Sequence, residues 1–413
     1  MNPPRSEDSR LPMSEREFVI LMAMLQALQA LAIDVMLPAL GVMARDLGVA
    51  GANERQLVIG LFLLGSGLGS LVPGILADRF GRRPVVLTCL AAYFLLSLAC
   101  AVVRDFTTLL ALRVVLGVFT SGLMILPMAI LRDRFSGDRM ARTQSLVSMT
   151  FMVVPMLAPL IGQAVLAVAN WRWIFGVMAL LAAFVAAWTW VRLPETLDPA
   201  HRQTIRPGAV LGNMREALTT REAIGYFLGT ALIQAALLGY INSSQQLVAE
   251  ALGAGLFFPT VFGGMAMVMA STNFVNASIV ERFGARRVSQ TALLAYIVVA
   301  AAHFFIARSG RETLWHFVPL MTVSMCLMSF IGSNFQAISL QPFARIAGAA
   351  ASVMSFVRLL LGAGLGLLIG QAFDGTAAPL TLAMILAGCG TLALVLYSEN
   401  GRLFRRLHYP ASD

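Results

Sequence analysis

Asp34 stands in the apolar run LAIDVMLPAL (residues 31–40), and Pro38 follows it by four residues. A carboxyl group deep in an apolar helix is costly, about 2.5–3.5 kcal/mol at the centre of a membrane span when ionised. Such a group is suited to taking up and releasing a proton; the alternative is a structural partner for an arginine. Pro38 has no N–H for the carbonyl of Asp34, so the helix should bend there. Arg113 and Arg358 are the two arginines that fall inside apolar stretches. The chemistry these residues offer is proton binding and charge, not bond making. No His/Cys/carboxylate grouping has metal-ligand spacing, no glycine loop ends in a lysine, and the chain contains no lysine. A cofactor is therefore not expected, and neither is enzymatic activity.

The elements that position these residues follow from composition. Of 413 residues, 58% are hydrophobic and 12% charged, against about 25% charged in a soluble domain. Most of this chain must therefore be solvated by lipid. A helix needs about 20 apolar residues to cross the hydrocarbon core. Twelve stretches qualify: 17–41, 56–77, 85–103, 107–131, 144–168, 172–191, 222–248, 256–280, 288–307, 313–340, 347–373 and 378–398. The fold class is all-α, a polytopic membrane protein. Asp34 and Arg113 then lie at similar depth, roughly 10 Å below one surface, and contact between them is open. Gly117 and Ser121 continue the face of Arg113. Arg358 sits near the midplane, too deep to reach the interface comfortably. Gln26, Gln234, Asn242, Asn273, Asn334 and Gln336 either line a cavity or bond between helices. His303 lies near a helix end, and Cys89, Cys100, Cys326 and Cys389 read as core side chains.

The net charge of +9 is distributed as a topology signal. With the N-terminus cytoplasmic, the tails and even-numbered loops hold 22 of the 30 arginines and the odd loops hold 6. This is the positive-inside pattern. It places both termini in the cytoplasm and argues against a nucleic-acid partner. Arg132, Arg134, Arg139 and Arg142 read as orientation charges. The expected organisation is a tail at 1–16, six helices at 17–192, a cytoplasmic linker at 193–220, six helices at 221–398 and a tail at 399–413. Within the linker, 208–219 could form a surface helix.

The two sets of six are related. GILADRFGRRPV (74–85) returns as ASIVERFGARRV (277–288), an offset of 203, and LIGQA (160–164) returns at 368–372. Parallel repeats about an axis along the membrane normal are a transporter architecture, with the substrate site between the repeats. Gly81 and Gly284 can supply the positive φ of a tight turn. Gly65 and Gly69, and Gly362, Gly366 and Gly370, have the spacing that lets helices pack closely in lipid. Pro155, Pro159 and Gly162 are expected to bend the fifth helix.

GILADRFGRRPV closely resembles the signature of the major facilitator superfamily between its second and third helices. LAIDVMLPAL, LRVVLGVFTSG (112–122) and APLIGQ (158–163) resemble its drug:proton antiporters, particularly the Bcr/CflA drug-resistance subfamily. Ala158-Pro159 and Gly162-Gln163 stand where that pattern has Gly-Pro and Gly-Gly. The resemblance implies two six-helix pseudo-symmetric bundles and multidrug efflux from a bacterial inner membrane. It implies proton coupling through Asp34 and Arg113. It further implies a gate in which Asp78 caps a helix terminus and pairs with an arginine, with Arg79, Gly81, Arg82 and Arg83 around it. Glu281 and Arg282 would repeat this in the second half.

The function expected is proton-coupled efflux of small, largely apolar drugs by a monomer in the lipid bilayer. A facilitator or importer of one metabolite, and a non-transporting receptor, are the alternatives. A deep titratable group separates the first from the second. Two arginines and one aspartate inside the helices disfavour dications and favour neutral, polar-edged compounds such as phenicols, with lipophilic monocations second, because like charges repel strongly where water is scarce.

Overall fold

The computed structural model describes residues 13–135, 137–197, 212, 215–216 and 219–404. The first tail, most of the 193–220 linker and the end of the second tail lie outside the described residues. The described chain is helical throughout its apolar stretches. Among the described residues, eleven helices are long and apolar enough to cross a membrane, and a bent pair makes a twelfth span. In order the spans are Glu15–Asp46, Glu54–Phe80, Arg82–Val102, Phe106–Arg134, Gly137–Val168, Arg172–Arg192, Arg221–Ala251, Gly255–Phe283, Ala285–Arg308, Leu314–Leu340, Ala347–Gln371 and Ala378–Ser398.

Two spans are broken where the sequence carries proline. In the first, an α-helix ends at Asp34, a 3-10 turn covers Leu37–Ala39, and a short helix follows over Leu40–Asp46. In the second, Leu57–Gly69 and Val72–Phe80 meet at 43°. The sequence reading gave that span as the single apolar stretch 56–77 and marked no bend in it. Pro73 accounts for the bend, because it has no N–H for the carbonyl of Gly69. Pro155 and Pro159 leave no such break: Gly137–Val168 is one continuous helix. The seventh span ends in a π-helical segment, Gln245–Ala251.

Glycines set the closest helix contacts. A Cβ at Gly65 would lie 2.2 Å from the carbonyl oxygen of Val114, and one at Gly69 would lie 2.5 Å from that of Val118. In return, a Cβ at Gly117 would meet the carbonyl oxygen of Phe62 at 2.1 Å. The second and fourth spans therefore touch backbone to backbone, as small residues permit in lipid. Gly366 plays the same part between the eleventh and seventh spans, against the backbone of Ala235 and Gly239.

The two bundles meet along the second and eleventh spans and along the fifth and eighth. Leu360 packs on Gly67 at mid-depth, Leu367 on Gly60 nearer the end opposite the termini, and Gly263 on the backbone of Met156. At that opposite end a polar clasp joins the bundles. Arg55 binds Glu250 through both carboxylate oxygens, at 2.7 and 2.5 Å. Gln56 donates to Gln246, which donates to the carbonyl of Ala52 at 2.7 Å. Asn53 donates to the carbonyls of Gln371 and Phe373 at 3.0 and 2.8 Å.

Candidate functional site

The break in the first span exposes backbone carbonyls, and Arg113 takes one of them. Its Nη2 donates to the carbonyl of Ala32 at 2.8 Å and its Nε to that of Val58 at 2.9 Å. Its guanidinium also lies over the Phe62 ring, 4.2 Å from the centroid. The side chain is fully buried, so one cation ties the first, second and fourth spans together. Gly117, one turn along, brings the second and fourth spans close enough for this. The remaining nitrogen, Nη1, is buried without a partner among the described residues.

Asp34 is the last residue of the first helix, two residues beyond Ala32, and is 6% exposed. Its carboxyl group has no hydrogen-bond or ion-pair partner among the described residues. Arg113 and Asp34 thus share the broken segment without pairing. The arginine engages the backbone that the break frees, not the carboxylate.

Gly162 supports the break from the fifth span. A Cβ there would lie 2.0 Å from the carbonyl oxygen of Val35 and 3.5 Å from Cδ of Pro38. The repeated LIGQA places Gly370 at the matching point of the second bundle, where a Cβ would meet Cβ of Asn242 at 2.8 Å and Oε1 of Gln56. The repeat is therefore a contact between the fifth helix of each bundle and its first.

At the end holding the termini, the DRFGRR turn is built around Gly81, with φ of +106°. Arg82 donates to Asp78 at 2.6 Å and to Asp133 at 3.0 Å. Arg83 donates to the carbonyl of Trp190 at 2.6 Å and lies over its ring. The expected cap by Asp78 is replaced. Glu195, just after the sixth span, accepts from the amides of Arg82 and Arg83 at 2.9 and 3.2 Å. Those amides begin the third span, and a carboxylate there also meets the positive end of the helix dipole. Asp78 belongs to the preceding turn, and the Arg82 side chain occupies it. Arg79 is exposed over Phe80.

The second bundle repeats the scheme with different members. Gly284 has φ of +85°. Arg286 binds Glu399 at 2.8 Å and Gln341 at 3.2 Å, and Glu399 accepts from Tyr226 at 2.7 Å. Glu281 is exposed and makes no part of this cluster, and Arg282 is exposed over the Phe283 ring. Glu195 and Glu399 stand 204 residues apart, close to the offset of the two turns. That echo was readable in the sequence, but each glutamate sits in a polar stretch where nothing else marks it. Gly81→Ala is expected to destabilise more than Gly284→Ala. Both put a side chain into a positive-φ, extended-ψ conformation that is essentially confined to glycine, at about 1–3 kcal/mol. Only at position 81 would the new Cβ also press on Glu195, 2.4 Å from its Oε2. Thermal unfolding in detergent measures the difference, and equal or reversed losses would contradict the cap.

The other polar candidates divide. Asn334 donates to Asn276 at 2.8 Å and to its own helix. Asn273 accepts from Ser329 at 3.0 Å. These bonds hold the eighth span to the tenth. Asn242 donates to the carbonyl of Leu238 at 2.9 Å, and its Oδ1 is buried without a partner among the described residues. Gln26 is buried, and Gln29, which the sequence reading passed over, donates to Ser66 at 2.8 Å. Gln234 lies against Gly362. His303 bonds Glu312 at 2.7 Å. Arg358 lines a cleft with residues of the seventh and tenth spans. The four cysteines are free, and no group of three metal-ligating side chains occurs among the described residues.

Comparison with known proteins agrees with this architecture. The family model described as Major Facilitator Superfamily matches residues 22–367. A Haemophilus influenzae protein named bicyclomycin resistance protein homolog is 26% identical over 92% of this chain and 95% of its own. The multidrug resistance protein MdtL of Klebsiella pneumoniae is 29% identical over 88% and 90%. Among solved structures, a D-xylose-proton symporter superposes with a TM-score of 0.72 at 13% identity, covering 92% of this chain and 97% of its own. An inward-facing, occupied bacterial homolog of the lysosomal transporter Spinster gives 0.72 at 16%, covering 93% and 96%. These two show a shared fold. The chain is a multi-pass membrane transporter, not an enzyme, and it belongs to the Major Facilitator Superfamily.

Proposed function

We propose that the chain exports small drug-like molecules across a bacterial inner membrane in exchange for protons. The observation that carries this reading is the unpartnered, buried carboxyl of Asp34 at the break in the first span. A facilitator has no need of a titratable group held there at the cost of desolvation. The names of the relatives, bicyclomycin resistance and multidrug resistance, supply the substrate class.

The coupling is assigned to Asp34 and Arg113 through the broken segment they share, since Asp34 ends the helix whose Ala32 carbonyl Arg113 holds. Ionisation of Asp34 places an unpaired negative charge at the end of that segment, and protonation removes it. A shift of that segment pulls on the first, second and fourth spans together, because Arg113 of the fourth is bonded to the other two. With the termini cytoplasmic, the clasp of Arg55, Asn53 and Gln56 on Glu250, Gln371 and Gln246 closes the periplasmic side. This conformation is then the one whose cavity faces the cytoplasm. Export requires the clasp to open and the two arginine clusters, around Arg82 and Arg286, to approach or rearrange on the other side.

Two experiments test the reading. Introduced cysteines in 193–220 should be labelled only from the cytoplasm; periplasmic labelling there would overturn the orientation. Expression in an efflux-deficient bacterial host should raise resistance to several chemically distinct drugs. Unchanged susceptibility across a broad panel, with the protein present in the membrane, would contradict the export of drugs.

A further inference from the structure

Arg358 is a cation without a counter-charge among the described residues. It lies about eleven residues into the eleventh span, and a guanidinium stays charged in proteins. No hydrogen bond or ion pair engages it among the described residues. The described carboxylates of the second bundle are occupied or elsewhere. Glu250 holds Arg55, Glu312 holds His303, and Glu399 holds Arg286. Asp374 turns back on Thr376, and Glu222 and Glu281 are exposed in the first turn of the seventh span and the last turn of the eighth. The contrast with Arg113 is direct, since Arg113 has two carbonyls and an aromatic face.

The surroundings of Arg358 suit a polar ligand. The cleft it lines is formed by Phe227 and Thr230 of the seventh span, Gln336 and Ser339 of the tenth, and Met354 and Ser355 of its own. Thr230 and Ser339 donate to backbone carbonyls of their own helices. The Gln336 amide and the Ser355 hydroxyl have no such bond among the described residues and remain as donors beside the guanidinium. Phe227 and Met354 supply an apolar wall. One fixed positive charge, two free donors and an apolar wall together match an acidic group on an apolar body.

We infer that the cleft around Arg358 is a subsite for the carboxylate, or a comparable oxyanion, of an amphipathic substrate. This rests on the transporter reading of the same site and names the substrate class. The acid end neutralises Arg358, while the apolar body reaches toward the space between the bundles. The sequence reading ranked neutral compounds first and lipophilic monocations second; the unpaired state of Arg358 among the described residues favours monoanions instead.

Three probes of one ring system and different charge test it: 1-naphthaleneacetate, 1-naphthaleneacetamide and 2-(1-naphthyl)ethylammonium. Binding to the full chain in detergent is measured by calorimetry at one pH and ionic strength. The acid is expected to bind roughly tenfold tighter than the amide, as a charge-assisted contact implies, and the ammonium weakest. Arg358→Gln should remove the preference for the acid and leave amide binding nearly unchanged, and Arg358→Lys should keep part of it. Equal affinities, tighter binding of the ammonium, or no binding of any probe would overturn the inference. So would an equal loss of acid and amide binding in Arg358→Gln. Binding in detergent requires neither proton coupling nor a transport direction, so this result is separable from failure of the export reading.

Discussion

Asp34→Asn is expected to abolish resistance in the efflux-deficient host while leaving a folded protein in the membrane. Asparagine has nearly the shape of aspartate and cannot carry the proton. The structure also fixes what should happen to stability. Asp34 has no partner among the described residues, so removing its charge strips nothing from Arg113, and the thermal midpoint in detergent should be unchanged or higher. Were Asp34 the structural partner of a buried arginine, the same substitution would leave that arginine uncompensated and cost about 3–5 kcal/mol. Lost transport with retained stability supports the coupling role. Lost stability supports the structural one.

Gly162→Ala is expected to cost most of the folded protein. Its Cβ would sit 2.0 Å from a backbone oxygen, and that oxygen belongs to the broken segment that holds Asp34. Neither helix can relieve the overlap by turning a side chain, so the spans must move apart. Overpacking typically costs about 1–3 kcal/mol, and more where only backbone can yield. Gly264→Ala is the control. It lies in the second turn of the eighth span's helix, Phe258–Phe283, with nothing within 4 Å of a Cβ, and alanine favours a helix over glycine by about 0.8–1 kcal/mol. Membrane yield and unfolding temperature should fall sharply for the first and hold or rise for the second. A well-behaved Gly162→Ala protein would show that the fifth span does not brace the break.

Much of this was legible in the residues. Hydropathy located the spans, and Pro38 marked the break at Asp34. The repeats DRFGRR/ERFGARR and LIGQA exposed the two-bundle plan, and Gly81 and Gly284 fixed the turns. What could not be read depends on which residues meet across the fold. The partners of Arg113 are the carbonyls of Ala32 and Val58, and a carbonyl leaves no mark in a sequence. Glu195 lies more than a hundred residues from the amides it caps. The clasp draws Arg55, Gln56, Gln246 and Glu250 from opposite bundles, and each alone reads as a loop or helix-end residue. Pro73 was visible, but its span is long enough to be drawn straight, so the 43° bend went unread.

The central claim is that substrate and proton move in exchange. It is tested most directly in proteoliposomes that enclose a pH-sensitive dye, using the compound to which the expressed chain gives the greatest resistance. The account predicts that an imposed substrate gradient drives protons in the opposite direction, and that Asp34→Asn liposomes give no such signal. Substrate flux at normal rates without proton movement, or undiminished proton movement in Asp34→Asn, would contradict it.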